Sequence, residues 1–177
     1  MNAKMPGELI DYITGKVVAD IGAEANRQAV EKYLVEEKGY APADIAVDAA
    51  LTLTIGGEPY RTAVDLVASV DGMPVMAVKC AAGSLGSRER EIVSAARLLA
   101  GYQLPFAVVS DGKKATLLEV VTGKKAGEGM AAIPSKAAAR AYLAENAPIA
   151  YPEKRREREK IIFRTYDSMN VNVQRNH

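Results

Sequence analysis

Histidine and cysteine are almost missing from this chain, with one of each in 177 residues. The histidine is His177, at the last position, so the body of the chain has no imidazole for a catalytic triad or a His/Cys zinc site. The lone Cys80 lies within an apolar run, which excludes an intramolecular disulfide framework and leads us to expect a reducing, cytoplasmic setting. Charge of one sign is missing as well. Lys and Arg number 23 against 22 Asp and Glu, a formal net charge of +1, so any basic surface has to be local. No apolar run approaches the roughly 18 residues needed to cross a bilayer, and the opening MNAKMPGELIDY has no signal-type apolar region. No membrane partner is expected. A Gly-x-x-x-x-Gly-Lys-Ser/Thr loop is also lacking, so no ATP-driven motor is encoded in these residues. Phosphate or metal chemistry, if present, falls to Asp, Glu, Lys and Arg.

What is there fits one domain with a real core. Hydrophobic content is 49% and charged content 25%, both ordinary globular values. Residues 1–19 read as a leader. Residues 20–38 predict a helix, capped by Asp20, with Val30, Leu34 and Val35 in its apolar stripe and Gly39 and Pro42 as stops. Val47–Ile55 alternates with period two up to Gly56-Gly57, the pattern of a strand. A loop over 81–87 leads to a helix over 88–102, capped by Ser87, whose first turn (Arg88, Glu89, Arg90, Glu91) reads as a solvated ion-pair surface. Leu104–Ser110 is nearly all apolar, as in a strand buried on both faces, and Ala115–Val121 pairs with it. Residues 123–129 read as a loop and Ser135–Glu145 as a short helix. The charged tail 151–177 is expected to be helical over 153–165, docked only by Ile161, Ile162 and Phe163, with its last ten residues loose. Its Arg155, Arg156 and Arg158 alternate with Glu, as on a solvated helix.

The stretch Tyr60–Ala82 organises the rest. Two β-rich runs, TAVDLVASV and PVMAVKC, flank Asp71-Gly72, a strong hairpin signal. Each run carries one charge, Asp65 in the first and Lys79 in the second. A charge within a buried strand is costly unless it is paired, metal-bound or at a solvated rim. The hairpin alone leaves both readings open, a site or two strand ends facing water.

The segments AEANRQAVEKYLVEEKGY, RTAVDLVASVDGMPVMAVKCAA and LPFAVVSDGKKATLLEV resemble, in order and spacing, the N-terminal nuclease domain of type I restriction enzyme R subunits. That resemblance covers residues 20–121. It implies a PD-(D/E)xK, restriction endonuclease-like α/β core (αβββαβ) with a central mixed sheet flanked by helices, here with a C-terminal helical extension. Residues 122–150 would complete the domain. It further implies Glu24 and Asp65 as metal ligands, Lys79 in the catalytic strand, Mg²⁺ as cofactor if the domain is active, and DNA as partner. Arg27, Arg61, Arg88 and Arg90 are the candidate nucleic-acid contacts. A restriction-modification or other protein partner and self-association are further expectations from the resemblance.

The second catalytic strand departs from the family pattern Glu-x-Lys. Counted from Pro74, the glutamate position holds Lys79 and the lysine position holds Ala81. Ser94 stands where the next helix usually carries Gln, and Ser110-Asp111-Gly112 replaces Thr-Asn-Gly. Residues i and i+2 of a strand share a face, so the same-face neighbours of Lys79 are Ala77 and Ala81. In either register the pair is half empty. Lys79 would repel a metal in the carboxylate's place, or act as a catalytic lysine with the metal one ligand short and Glu24 partly substituting. Alternatively it would pair with Asp65 or Glu24 and set a fixed charge where the metal belongs, the arrangement that leaves every buried charge satisfied. The expectation is therefore a degenerate site with a DNA-binding or accessory role. An active endonuclease using Asp65, Glu24 and Lys79 is the alternative, and a protein-interaction subunit the third.

Overall fold

The computed structural model describes residues 7–175, with side chains as far as Met169; His177 lies outside that range. A small antiparallel pair, β1 (Glu8–Ile10) and β2 (Val17–Ala19), precedes helix α1 (Glu24–Glu36). Three strands follow: β3 (Ile45–Ile55), β4 (Glu58–Val70) and β5 (Met73–Cys80). Helix α2 (Glu89–Leu98) then leads to β6 (Phe106–Ser110), β7 (Ala115–Glu119) and β8 (Lys124–Glu128). Helices α3 (Lys136–Glu145) and α4 (Glu153–Arg175) close the chain.

Strands β3 to β8 form one six-stranded sheet in sequence order. Only the β5–β6 junction is parallel, with Met76 opposite Phe106 and Lys79 opposite Val109. Helix α2 supplies that crossover, as parallel neighbours require. The αβββαβ order of the core holds. Asp71 and Gly72 both have positive φ (51° and 80°) and join Val70 to Met73, the turn an Asp-Gly pair favours because its twist matches that of the strands.

Two apolar layers sandwich the sheet. Helices α2 and α4 cover one face, where Leu51, Leu53, Val67, Ala77, Val109 and Leu118 meet Ile92, Leu98 and Phe163. Helices α1 and α3 cover the other, where Leu66, Met76, Val78, Val108 and Leu117 meet Val30, Leu34 and Ala139. The β6–β7 turn holds α1 against the sheet. Gly112 has φ +89°, and a Cβ there would fall 2.7 Å from the Ala29 Cβ and 3.3 Å from the Asn26 carbonyl. Glycine is required at this contact for its backbone and for its lack of a side chain.

Several expectations are corrected. Residues 123–129 contain β8, an edge strand whose KKAGE sequence lacks apolar alternation because it is almost wholly exposed. Asp20 does not cap α1; the helix starts at Glu24 behind Ala23, and the Asp20 amide donates to Gly7 O instead. Ser87 does not cap α2, since its hydroxyl donates to Ser84 O. The tail helix runs on to Arg175, and its docking is different from that expected. Phe163 is buried, whereas Ile161 is 48% exposed, and two carboxylates, Glu159 and Asp167, are buried beside Phe163. Charge spacing could not show this, because the partners of those acids lie on distant elements.

Candidate functional site

The sheet opens at Asp65. In the β4–β5 ladder the last paired residues are Leu66 and Val78, and beyond them the Cys80 amide donates 2.8 Å to Asp65 Oδ2. The side chain thus replaces the backbone as acceptor where the strands part. On the opposite edge of β4, Val47 pairs with Leu66 and Ala49 with Val64, while Asp48 between them has φ +51°. A non-glycine residue is uncommon in that region, and such departures concentrate where a sheet is shaped for a site. These two interruptions flank a polar cleft of about 290 Å³ lined by Glu24, Arg27, Asp48, Asp65 and Lys79.

Glu24 reaches the cleft from the first turn of α1, where a carboxylate favours the positive end of the helix dipole. Its Oε1 accepts from Arg27 Nε at 3.0 Å, from Arg27 Nη2 at 2.7 Å and from Gln28 Nε2 at 2.9 Å. Arg27, 8% exposed, also donates from Nη1 to Asp48 Oδ1 at 2.7 Å and lies 4.0 Å from Asp11 Oδ2. Burial alone would lower the pKa of that guanidinium, but the bond to Glu24 and the Asp48 charge outweigh it and raise the pKa. Arg27 is a structural counter-ion here.

Lys79 makes its ion pairs with Asp65 and Glu91. Its Nζ lies 3.8 Å from Asp65 Oδ2 and 3.6 Å from Glu91 Oε1. Glu91, 3% exposed, comes from α2, and Arg88 Nη1 lies 3.8 Å from its other oxygen. The first turn of α2 is therefore not the solvated surface expected of it. Glu91 joins the site and Arg90 is drawn into the α2–α4 interface, donating to Glu159 at 2.6 and 2.9 Å. Ser94 is fully buried in that same interface and donates 2.8 Å to Glu159. Of the four candidate nucleic-acid contacts, Arg61 is exposed, Arg88 is half-buried, and Arg27 and Arg90 are held by carboxylates.

A divalent cation needs several oxygen ligands with room for its charge. The two expected ligands do not offer that. Glu24 is engaged by Arg27 and Gln28, and Asp65 by the Cys80 amide with the Lys79 ammonium beside it. Among the described residues no group of three His, Cys, Asp or Glu side chains is placed to hold a metal. The donor set does not fit Mg²⁺.

Asp11, Asp48 and Glu91 carry no sequence motif. The composition signal that could have found Asp48 is an acid within an alternating strand, and for Glu91 an acid four residues after a small-residue loop. Neither is specific.

Fold and cleft define an α/β domain in which helix α1 and a split mixed sheet converge on a charged cleft, with no helix among the described residues long and apolar enough to cross a membrane. The model of the type I restriction enzyme R protein N terminus matches residues 22–134, from the approach to α1 to just beyond β8, and the chain belongs to that family. No curated protein and no solved structure matches it.

Proposed function

We propose that this chain is a restriction-type domain of the PD-(D/E)xK kind whose metal seat is filled by its own Lys79, so that it does not cleave phosphodiesters and serves as a DNA-binding or accessory module. The observation that carries this is the position of the Lys79 ammonium, 3.8 Å from Asp65 and 3.6 Å from Glu91. A fixed cation there offsets the charge of both carboxylates and opposes a divalent ion by like-charge repulsion. Among the unburied basic groups available to a phosphate backbone are Arg61, Arg88, Lys113 and Lys114.

The test is a plasmid-nicking assay with Mg²⁺ or Mn²⁺ beside a gel-retardation titration. The proposal expects no nicking, and DNA retardation that weakens steeply with salt and is indifferent to EDTA. Metal-dependent nicking that Asp65→Ala abolishes would overturn it in favour of an endonuclease using Asp65, Glu24 and Lys79. One observation favours a second reading, the protein-interaction subunit. The cleft holds the carboxylates Glu24, Asp48 and Asp65 against the cations Arg27 and Lys79, a balance that repels phosphate. Absence of both nicking and salt-dependent retardation selects that reading.

A further inference from the structure

The hairpin β1–β2 lies outside the family match, yet it is fastened to α1 by polar groups. The Tyr12 amide donates 2.6 Å to Gln28 Oε1 and the Tyr12 hydroxyl donates 3.1 Å to Glu36 Oε1. Asp11, 1% exposed, accepts at Oδ1 from the amides of Ile13 and Thr14 and at Oδ2 from Gln28 Nε2 at 3.1 Å. Beneath it lies Glu31, with no exposed surface, and neither carboxyl oxygen accepts a hydrogen bond from any conventional donor. An ionised carboxylate buried without a donor is very costly. The group that Glu31 meets is the Asp11 carboxyl, and two such groups hold together only when one carries a proton.

We propose that the hairpin is a latch closed by a single proton: protonated Glu31 donates to Asp11, and loss of that proton to bulk water releases residues 8–19 from α1. The charged and titratable groups facing Glu31 agree with this. Asp11 from the hairpin and Glu24 from α1 disfavour its charge. Arg27 favours it but already serves Glu24 and Asp48, and Cys80 from β5 is a buried, neutral thiol. Burial and then Asp11 push Glu31 up to about 8, so at neutral pH the latch is closed. Release would free Gln28, which bridges Asp11 and Glu24, and would take Asp11 from Arg27. One wall of the cleft would then change with pH, whatever the cleft binds.

Hydrogen exchange on the full chain tests this, with amides 8–19 read against the buried β5 amides 75–78 and both corrected for intrinsic exchange. An acid whose pKa is raised in the closed state favours opening as pH rises from its ordinary value to the raised one. Opening of 8–19 should therefore increase by up to about tenfold per pH unit between about pH 5 and 8, then level off. In Glu31→Gln, which keeps a donor and cannot ionise, the slope should vanish. Equal slopes for the two segments, or an unchanged slope in Glu31→Gln, would overturn the latch. Should Glu31→Gln not fold, the carboxyl ¹³C shift of Glu31 in the unaltered protein decides: a transition near pH 8 supports the proposal, and one below pH 5 overturns it.

Discussion

Replacing Glu159 tests how α4 is attached. Its carboxylate is 2% exposed. It accepts from Arg90 at 2.6 and 2.9 Å, Ser94 at 2.8 Å, Tyr151 at 3.0 Å and Arg97 at 3.1 Å. Burial would raise its pKa, but the bonds from Arg90 and Ser94 more than reverse that and hold it at about 2. A depressed acid contributes stability above its unfolded value, which is lost as pH falls from there toward the folded value. From 4.5 to about 2, that linkage is on the order of 3 kcal/mol. Truncation costs about 3–5 kcal/mol, because Arg97 is left buried without its acid; Arg90 is 37% exposed and adds less, being screened by water. Urea denaturation of Glu159→Ala at pH 7 should show this loss. The gap between the unaltered protein and the variant should narrow as pH drops from about 5 to 2, since the native protein loses the same charge by protonation. A variant within about 0.5 kcal/mol of the parent at pH 7, or a gap of constant size down to pH 2, would falsify this account of the interface.

Phe163→Ala removes the ring, 2% exposed, that fills the space between α4, β3 and α2; a loss of about 3–5 kcal/mol in a urea titration is expected. In Gly112→Ala the new methyl meets Ala29 at 2.7 Å on a backbone at φ +89°, so a cost of about 2–4 kcal/mol is expected, read as a lowered melting temperature. Lys79→Glu puts a third carboxylate beside Asp65 and Glu91. It should lose about 3–5 kcal/mol in EDTA, and millimolar Mn²⁺ should recover part of that loss by binding the folded form alone. Indifference of that variant to Mn²⁺ in a thermal melt would count against the view that Lys79 occupies a cation's place.

Much of the fold was legible because its signals are local. Asp71-Gly72 and Gly56-Gly57 set two-residue turns through their own backbone preferences, and the unbroken apolar run of β6 marked a strand covered on both faces. The strand β8 was not legible, since KKAGE pairs on one edge and buries almost nothing. The site was legible in part. Asp65 and Lys79 stood out as charges in apolar strands, and the structure sets them 3.8 Å apart. Glu91 and Glu159 were read as surface acids, because a helical Glu among Arg residues has the same local pattern whether it faces water or a partner helix. Sequence spacing reports neighbours along one element; the arginine that claims Glu159 from 69 residues away leaves no trace in it. Asp11 was hidden for the same reason, lying in a segment that reads as a leader.

The pieces outside residues 22–134 bear on what the core can do. Asp11 in the hairpin contacts Arg27, and Glu159 in α4 binds Arg90 and Arg97. Asp167 in α4 accepts from the Tyr60 hydroxyl at 2.5 Å, beside the pocket that Asp65, Lys79 and Glu91 line. Each flank therefore supplies a buried acid to a basic or hydroxyl group of the matched core. Arg27 is bonded mainly to Glu24 and Asp48 of the core itself, with Asp11 4.0 Å away, whereas Arg90 is claimed by Glu159 of α4. The α4 addition thus converts one potential binding cation, Arg90, into a joint of the fold. Arg61, Arg88, Lys113 and Lys114 are among the basic residues of the core that stay unburied.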